Sequence, residues 1–463
     1  MKRLTSMLAL VFAASIFASA AEPVVSNVNH NMVYQATQQV STPEAKSILE
    51  IFSGSGLSLP LSKKKWTIMV FMNGKNNLSD AGDDDMDEMM GVGSDRNLNV
   101  IVEKGSMKEG EEGASFGPVQ RLYVKRMGLF KEKAETLVLS SSDKADMGDW
   151  KELVSFVKYA KKNFPAEKYM LVLWNHGSGW ISIGGKPMEG TAPASNETIG
   201  RGIAYDDETG NHITTMEMRA MLKEIGGVDV LASDACLMAD IAVNAEVHKY
   251  APYVVGSEET EPGEGYNYTI LLKKFAKNPK MGAREAAIAT VDAYAEHYKT
   301  VDDDLTTSAV ESSKIVSLSN GMKHFVDKAL VSPDKKALVK AYKEANRFAY
   351  DHAADLYDFM RIVSENTTDK DMKSWAQLVM RFIKNQAVIK NVAYGKHQDK
   401  AYGIAAYMPL KDYDTEYDKL MFAKLTNWGA FAKYIMPDLP KEDNSQFDPS
   451  QGFDWDSIPD HQY

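Results

Sequence analysis

Four short, largely apolar runs constrain this chain most: Trp66–Met72, Leu98–Val102, Tyr169–Trp174 and Val228–Ala232. A strand with one face in water alternates apolar and polar residues. A run that scarcely alternates is buried on both faces, as a strand is in a parallel sheet covered by helices. Helical patterns lie between the runs, over Asp83–Met90, Trp150–Phe164 and Thr215–Ile225. In the second of these, Leu153, Phe156, Val157 and Tyr159 fall on or near one face, and Pro165 stops it. Gln120–Val124 alternates like a further strand. This order predicts an α/β fold with a mostly parallel sheet and helices on both faces.

The flanks read differently. Met1, Lys2 and Arg3, an apolar stretch from Met7 to Phe17 and the small residues Ala18-Ser19-Ala20 have the form of an export signal over residues 1–20. The apolar stretch is too short to span a bilayer comfortably. No cysteine follows the expected cut, so a lipid anchor is not expected, and the mature protein is expected to be soluble, in the periplasm or outside the cell. Residues 21–62 are polar and end in Gly54, Gly56 and Pro60 before Lys63-Lys64-Lys65, as a pro-segment or linker would. The α/β unit is expected over 63–280. A mainly helical region with a late strand candidate at Tyr402–Met408 is expected over 281–436, packed on that unit. A loose acidic tail fills 437–463. The net charge of −11 argues against a nucleic-acid partner, which selects a basic face.

The chain has one cysteine, Cys236, so no internal disulfide can form. A lone thiol is ordinarily a small core residue, but here two strand ends carry unusual chemistry. The run ending at Trp174 opens into Asn175-His176-Gly177-Ser178-Gly179-Trp180. The run ending near Ala232 opens into Ser233-Asp234-Ala235-Cys236-Leu237. Ligands bind beyond the carboxyl ends of parallel strands. If the two strands are neighbours, an imidazole and a thiol share one crevice. A thiolate attacks a carbonyl, an imidazole protonates the departing amine, and a backbone N–H beside each stabilises the oxyanion. Gly177 and the Cys236 N–H are the candidates for that last role. Leu237–Val247 reads as helix, which would put the thiol at a helix N-terminus and lower its pKa.

Several segments together resemble the clostripain family of cysteine peptidases, within the clan of caspases, legumains and gingipains. They are Trp66–Gly74 with Asn77-Leu78, Leu173–Trp180, Ser233–Met238, Gly256–Tyr266, Asp355–Phe359 and the strand into Met408-Pro409. The resemblance spans roughly residues 66–436. It implies a caspase-like sheet and a catalytic dyad of His176 and Cys236 with no third acid. It also implies cleavage after Arg or Lys, with acidic side chains lining the P1 pocket. Asp234 falls on one such position. Glu264 falls where relatives often place an acid, commonly Asp. A buried guanidinium or ammonium needs an anionic partner. Asp234 has a second reading as a helix cap, and Glu258, Glu259 and Glu261 are expected to be solvated loop charges.

The family tends to mature by cutting itself after the histidine block. Arg201-Gly202 is the candidate bond, since Lys186 precedes Pro187, whose ring hinders cleavage. Lys63–Lys65 is a candidate site for pro-segment release. The acidic run Asp80–Glu88 lacks calcium-loop spacing, and Asp83–Asp85 suit the start of a helix. Calcium dependence occurs in the family, so Ca2+ at an unspecified site stays open, while the chemistry requires no cofactor. His212 and His248 are expected at the surface. The expected partners are proteins or peptides with basic residues. The alternatives are another P1 preference, transpeptidation, or an exported binding protein on the same scaffold.

Overall fold

A computed structural model describes residues 63–108, 114–126, 135–180, 201–301, 303–350 and 352–439. The signal-like segment, the segment 21–62, most of the acidic tail and Lys186 lie outside the described residues. The chain builds β1 (Lys64–Gly74), helix α1 (Ser79–Met90), β2 (Leu98–Lys108), β3 (Ser115–Phe116), β4 (Val119–Val124) and β5 (Thr136–Ser142). Helix α2 (Trp150–Asn163), β6 (Ala166–Trp174), the ribbon β7 (Gly202–Asp206) and β8 (Asn211–Thr214), α3 (Thr215–Glu224), β9 (Val230–Asp234), α4 (Ile241–Val247) and β10 (Tyr253–Gly256) follow. Next come α5 (Tyr268–Lys277), α6 (Ala283–Tyr298), β11 (Thr306–Glu311), α7 (Ile315–Ala329), α8 (Lys335–Glu344) and β12 (Ala353–Asp355). The last are α9 (Leu356–Asn366), α10 (Lys370–Phe382), β13 (Val388–Ala393), β14 (Ala405–Tyr407), α11 (Met421–Thr426) and α12 (Trp428–Ile435).

The main sheet runs β13-β11-β10-β9-β6-β1-β2-β4-β5, with β3 on β2. Its centre, from β2 through β1, β6 and β9 to β10, is parallel, and the strands outside that block are antiparallel. Burial explains why the central runs do not alternate. Ile68, Val70 and Met72 pack with α1, α5 and α6 on one face. Met69 and Phe71 pack with α2 and α3 on the other. Each such side chain, fully buried, stabilises the fold by about 1.5–3 kcal/mol. A third apolar cluster joins the helices after residue 312 to one side of α4 through Ile241, Ala242 and Ala245.

The region read as helical contributes β11 and β13 to the main sheet. Their sequences, Thr-Thr-Ser-Ala-Val-Glu and Val-Ile-Lys-Asn-Val-Ala, carry no apolar run, because β13 is half-buried along its length and β11 buries Thr and Ser. The late strand shortens to Ala405–Tyr407 and pairs with β12 rather than with the main sheet. Helix α1 begins at Ser79, so Asp83–Asp85 lie inside it rather than at its start.

Candidate active site

Strands β6 and β9 are parallel neighbours, with Leu173 opposite Ser233 and Trp174 opposite Asp234. The ladder runs one bond further, from Asn175 N–H to Asp234 O at 3.3 Å. Two residues beyond the last pair, the chain carries His176 on one strand end and Cys236 on the other. The two loops touch: a Cβ on Gly177 would lie 2.5 Å from the Cys236 carbonyl oxygen and 3.0 Å from the Ala235 Cβ. Only glycine fits so close to the thiol-bearing loop.

His176 is 8% exposed, and burial holds its imidazole down at about 3. Its Nε2 lies 2.7 Å from Asn77 Oδ1. An amide oxygen only accepts, so this contact is a hydrogen bond in the tautomer with the proton on Nε2, which leaves Nδ1 as the basic nitrogen. The His176 carbonyl accepts Ala204 N–H at 3.3 Å, and Ser178 N–H donates to Gly202 O at 2.9 Å. These two bonds flank the Gly177–Ile203 bridge. In that antiparallel geometry the N–H of Gly177 points away from β7.

Cys236 does not sit at a helix N-terminus. Helix α4 starts at Ile241, and Asp240 caps it by accepting Ala242 N–H at 2.6 Å. Leu237 takes a left-handed backbone, φ 62°, and breaks the helical path between them. The dipole fades within a turn, so it does not lower the thiol's pKa. Burial instead pushes Cys236 up to about 12, offset in part by the Glu261 N–H and reinforced by the charges of Glu261 and Glu259. The sulfur accepts Glu261 N–H at 3.2 Å. The residue is 7% exposed, packed among Leu237, Phe348, Ala353, Ala401 and Ala405, with Tyr350 against that cluster.

Asp234 ends β9 and caps no helix. It accepts Tyr266 N–H at 2.9 Å and Tyr268 Oη–H at 2.8 Å, and burial pushes it up to about 7. Gly265, at φ 55°, leaves room beside it, since a Cβ there would lie 2.5 Å from Asp234 Oδ1. The neighbouring acid is Glu261, whose carboxyl lies against that of Asp234 and is pushed well up by burial and by that charge. Glu264 is elsewhere: its side chain is 67% exposed and meets His297 Nε2 at 3.2 Å. Glu258, Glu259 and Glu261, expected in solvent, are 1%, 2% and 9% exposed. The turn between Gly256 and Tyr266 folds back under the strand ends, which no local pattern in its run of acids announces.

Asp85 is a further buried acid on this side. It accepts Trp174 Nε1–H at 2.5 Å and is pushed up to about 10 by burial and by Asp234. Among the described residues, no ammonium or guanidinium bonds Asp234, Glu261 or Asp85. Elsewhere in the acidic run, Asp83 pairs with Lys104, and Glu88 accepts Tyr268 N–H at 2.7 Å. Among the described residues no group of three or more His, Cys, Asp or Glu side chains could hold a metal ion. His212 stacks half-buried on Tyr205, and half-buried His248 bonds the Ala245 carbonyl.

Arg201 stands at the entrance to β7. Its guanidinium pairs with Asp414 and lies 5.1 Å from the centre of the Trp180 ring, and its carbonyl accepts Thr215 N–H at 3.1 Å. Of the Lys63–Lys65 run, Lys64 is buried in β1 with its Nζ on Leu98 O, and Lys65 pairs with Glu167. No helix among the described residues is long and apolar enough to cross a membrane.

The sequence pattern of the clostripain family matches residues 70–435. Over 279 residues the chain is 28% identical to clostripain of Hathewaya histolytica, covering 55% of this chain and 47% of that one. It therefore spans about half the length of that relative. Among solved structures it is similar to a secreted C11 cysteine protease of Bacteroides thetaiotaomicron bound to an irreversible peptide inhibitor. That match has a TM-score of 0.59 and 17% identity, covering 79% of this chain and 99% of the other. An inactive zymogen C11 protease of Parabacteroides distasonis matches at TM-score 0.56 and 16% identity, over 79% and 99%. These likenesses show the fold.

Proposed function

The chain belongs to the clostripain family of cysteine peptidases, and from that premise we propose that it hydrolyses peptide bonds after arginine or lysine, with Cys236 as nucleophile and His176 as acid and base. The observation that carries this assignment is the β6–β9 register, which brings the thiol and the imidazole to the same level on adjoining strand ends. Asn77 holds the imidazole by Nε2, so Nδ1 is the nitrogen that takes the thiol proton and returns it to the leaving amine. Gly177 N–H and Cys236 N–H receive the oxyanion. Asp234 and Glu261 form the P1 pocket in place of the pair Asp234 and Glu264. Two buried carboxyls without a cation leave a site that a guanidinium or ammonium completes.

In the uncut chain both members of the dyad are neutral, with the thiol held high and the imidazole low by burial. Self-cleavage after Arg201 is then an activating step: it parts Arg201, whose guanidinium is held by Asp414 and Trp180, from the start of β7. The resemblance to an inactive zymogen supports this order. The substrates are proteins and peptides with exposed basic residues. The signal-like residues 1–20 direct the chain to the periplasm or beyond. A Ca2+ requirement is tested by titrating EGTA against activity.

The decisive experiment assays fluorogenic peptides differing only at P1 with wild type, Cys236→Ala and His176→Ala. Turnover of Arg and Lys peptides is expected in wild type, with loss of about a thousandfold or more in either variant. Equal turnover of Arg and Ala peptides would reject the pocket, and activity in Cys236→Ala would reject the nucleophile. N-terminal sequencing of the purified fragments reads the cut sites.

A further inference from the structure

Leu237, next to the nucleophile, holds a left-handed backbone, φ 62°, that non-glycine residues disfavour. Such a turn persists only where its surroundings over-determine it. The surroundings include the histidine loop, against which the Leu237 carbonyl packs at Gly179, Ala405, whose N–H donates to Ala239 O at 2.9 Å, and one short stretch, Ser257–Glu261, that bonds the turn on both sides of the sulfur. Leu237 N–H donates to Glu259 O at 3.1 Å and Ala239 N–H to Ser257 O at 2.8 Å. Glu261 N–H donates to the Cys236 sulfur at 3.2 Å. Of the groups around the turn, this stretch alone supplies a hydrogen bond to the sulfur among the described residues, so the sulfur's aim depends on it.

Two anchors fix it. Thr306 Oγ1 accepts the N–H groups of Glu258 and Glu259 at 2.9 and 3.0 Å. The second anchor is the Glu259 side chain, which lies fully under cover. Its Oε1 accepts Thr260 N–H at 2.9 Å and Ala349 N–H at 2.8 Å. Its Oε2 lies 2.7 Å from Nε2 of His397, which is 0% exposed. Asn346 Nδ2 lies 3.1 Å from the other ring nitrogen of His397, and Phe348 packs 5.1 Å from the ring. Lys396 Nζ is 3.9 Å from the same carboxylate oxygen.

We propose that His397 and Glu259 are positioning residues for Cys236: their buried contact pins the stretch that holds the sulfur on its strained turn. His397 touches neither substrate nor sulfur and acts through Glu259. The carboxylate orients Thr260 N–H and so aims the next N–H, that of Glu261, at the sulfur. Without the imidazole, a buried carboxylate loses its strongest donor and turns away. The turn at Leu237 then relaxes and the sulfur leaves its attack position. Asp234 is held separately by Tyr266 and Tyr268, so recognition of a basic side chain is largely spared. This assignment rests on Cys236 being the nucleophile.

The test compares His397→Ala, His397→Gln and Asn346→Ala with wild type on a P1-Arg peptide, alongside hydrogen exchange of the full-length protein. Misplacing the nucleophile by about 1 Å is expected to lower kcat of His397→Ala about tenfold to a hundredfold. KM should stay within about threefold. Gln can donate to Glu259 through its amide and should recover most of kcat, whereas a packing role would make Gln and Ala equally poor. Asn346→Ala, which leaves the ring in place, should lose about threefold to fivefold. Exchange of the Leu237 and Glu261 amides in His397→Ala should quicken about tenfold while β1 and β6 stay protected.

If His397→Ala does not fold, Asn346→Ala carries the same test. Unchanged kcat or exchange, or Gln no better than Ala, overturns the assignment. If wild type cleaves no basic peptide but exchange still quickens, the anchoring stands and the proteolytic assignment falls.

Discussion

Glu259 and Glu261 lie two residues apart on one backbone, both are buried, and their surroundings are opposite. Glu259 meets two N–H groups and an imidazole. Glu261 lies against a second carboxyl, Asp234, with no cation bonding either among the described residues. A buried acid with its partners in place is part of the scaffold. A buried acid facing another acid has room for a cationic partner, and that is the basis on which the P1 pocket is proposed at Asp234 and Glu261. The two environments differ in what surrounds them: Glu259 meets Ala349 and His397, and Glu261 lies near Tyr266, Tyr294 and Tyr298.

That contrast can be broken at the ligand end first. Asp234→Asn removes a charge that a buried guanidinium needs, at about 3–5 kcal/mol. This corresponds to a fall in kcat/KM for P1-Arg peptides of about a hundredfold to about four-thousandfold. Glu261→Gln should cost less, about tenfold to thirtyfold, since one carboxylate remains. It should also raise the melting temperature, because it relieves a buried like-charge pair; a fall in melting temperature would mean Glu261 is partnered like Glu259.

The pH dependence comes next. Burial raises Asp234, Asp240 and Asp355 from the ordinary 3.8 to about 7 in the folded chain. The folded state therefore binds more protons than the unfolded state between those values. Their contribution to stability is full below about 4 and is lost as pH rises through about 7. The melting temperature should fall over that window, and less steeply in Asp234→Asn. Because the pocket must lose a proton to receive a cation, kcat/KM for P1-Arg peptides should rise over the same range. The smallest effect is the most telling control: Glu264→Gln, at the exposed position two-thirds open to water, should change P1-Arg hydrolysis by less than about twofold.

The parts of this molecule that the sequence announces are those whose environment is uniform. Ile68–Met72 and Met170–Trp174 are covered on both sides of the sheet, so their apolar runs name them as central strands, and the loops after them follow. The antiparallel strands β11 and β13 carry mixed residues because they lie toward an edge, and no run marks them. At the site, the His176 and Cys236 blocks were legible because a thiol and an imidazole at strand ends are rare. Which acids of the following turn are buried was not, because Glu258, Glu259, Glu261 and Glu264 differ only in how one turn folds. The helix after Cys236 was misjudged for a related reason. Leu237–Ala239 is apolar and looks helical, but the starting signal was Asp240, whose carboxylate caps Ile241 onward.

The neighbouring of β6 and β9 has one more consequence. Strand β6 ends before the long connection that closes at Arg201, and β9 begins after it. A cut anywhere in that connection would leave two polypeptides still laced by the ladder between Met170–Trp174 and Val230–Asp234. The imidazole would travel with one piece and the thiol with the other. A severed molecule of this design would keep working only as a couple, running as two bands under denaturing conditions and as one particle in native ones.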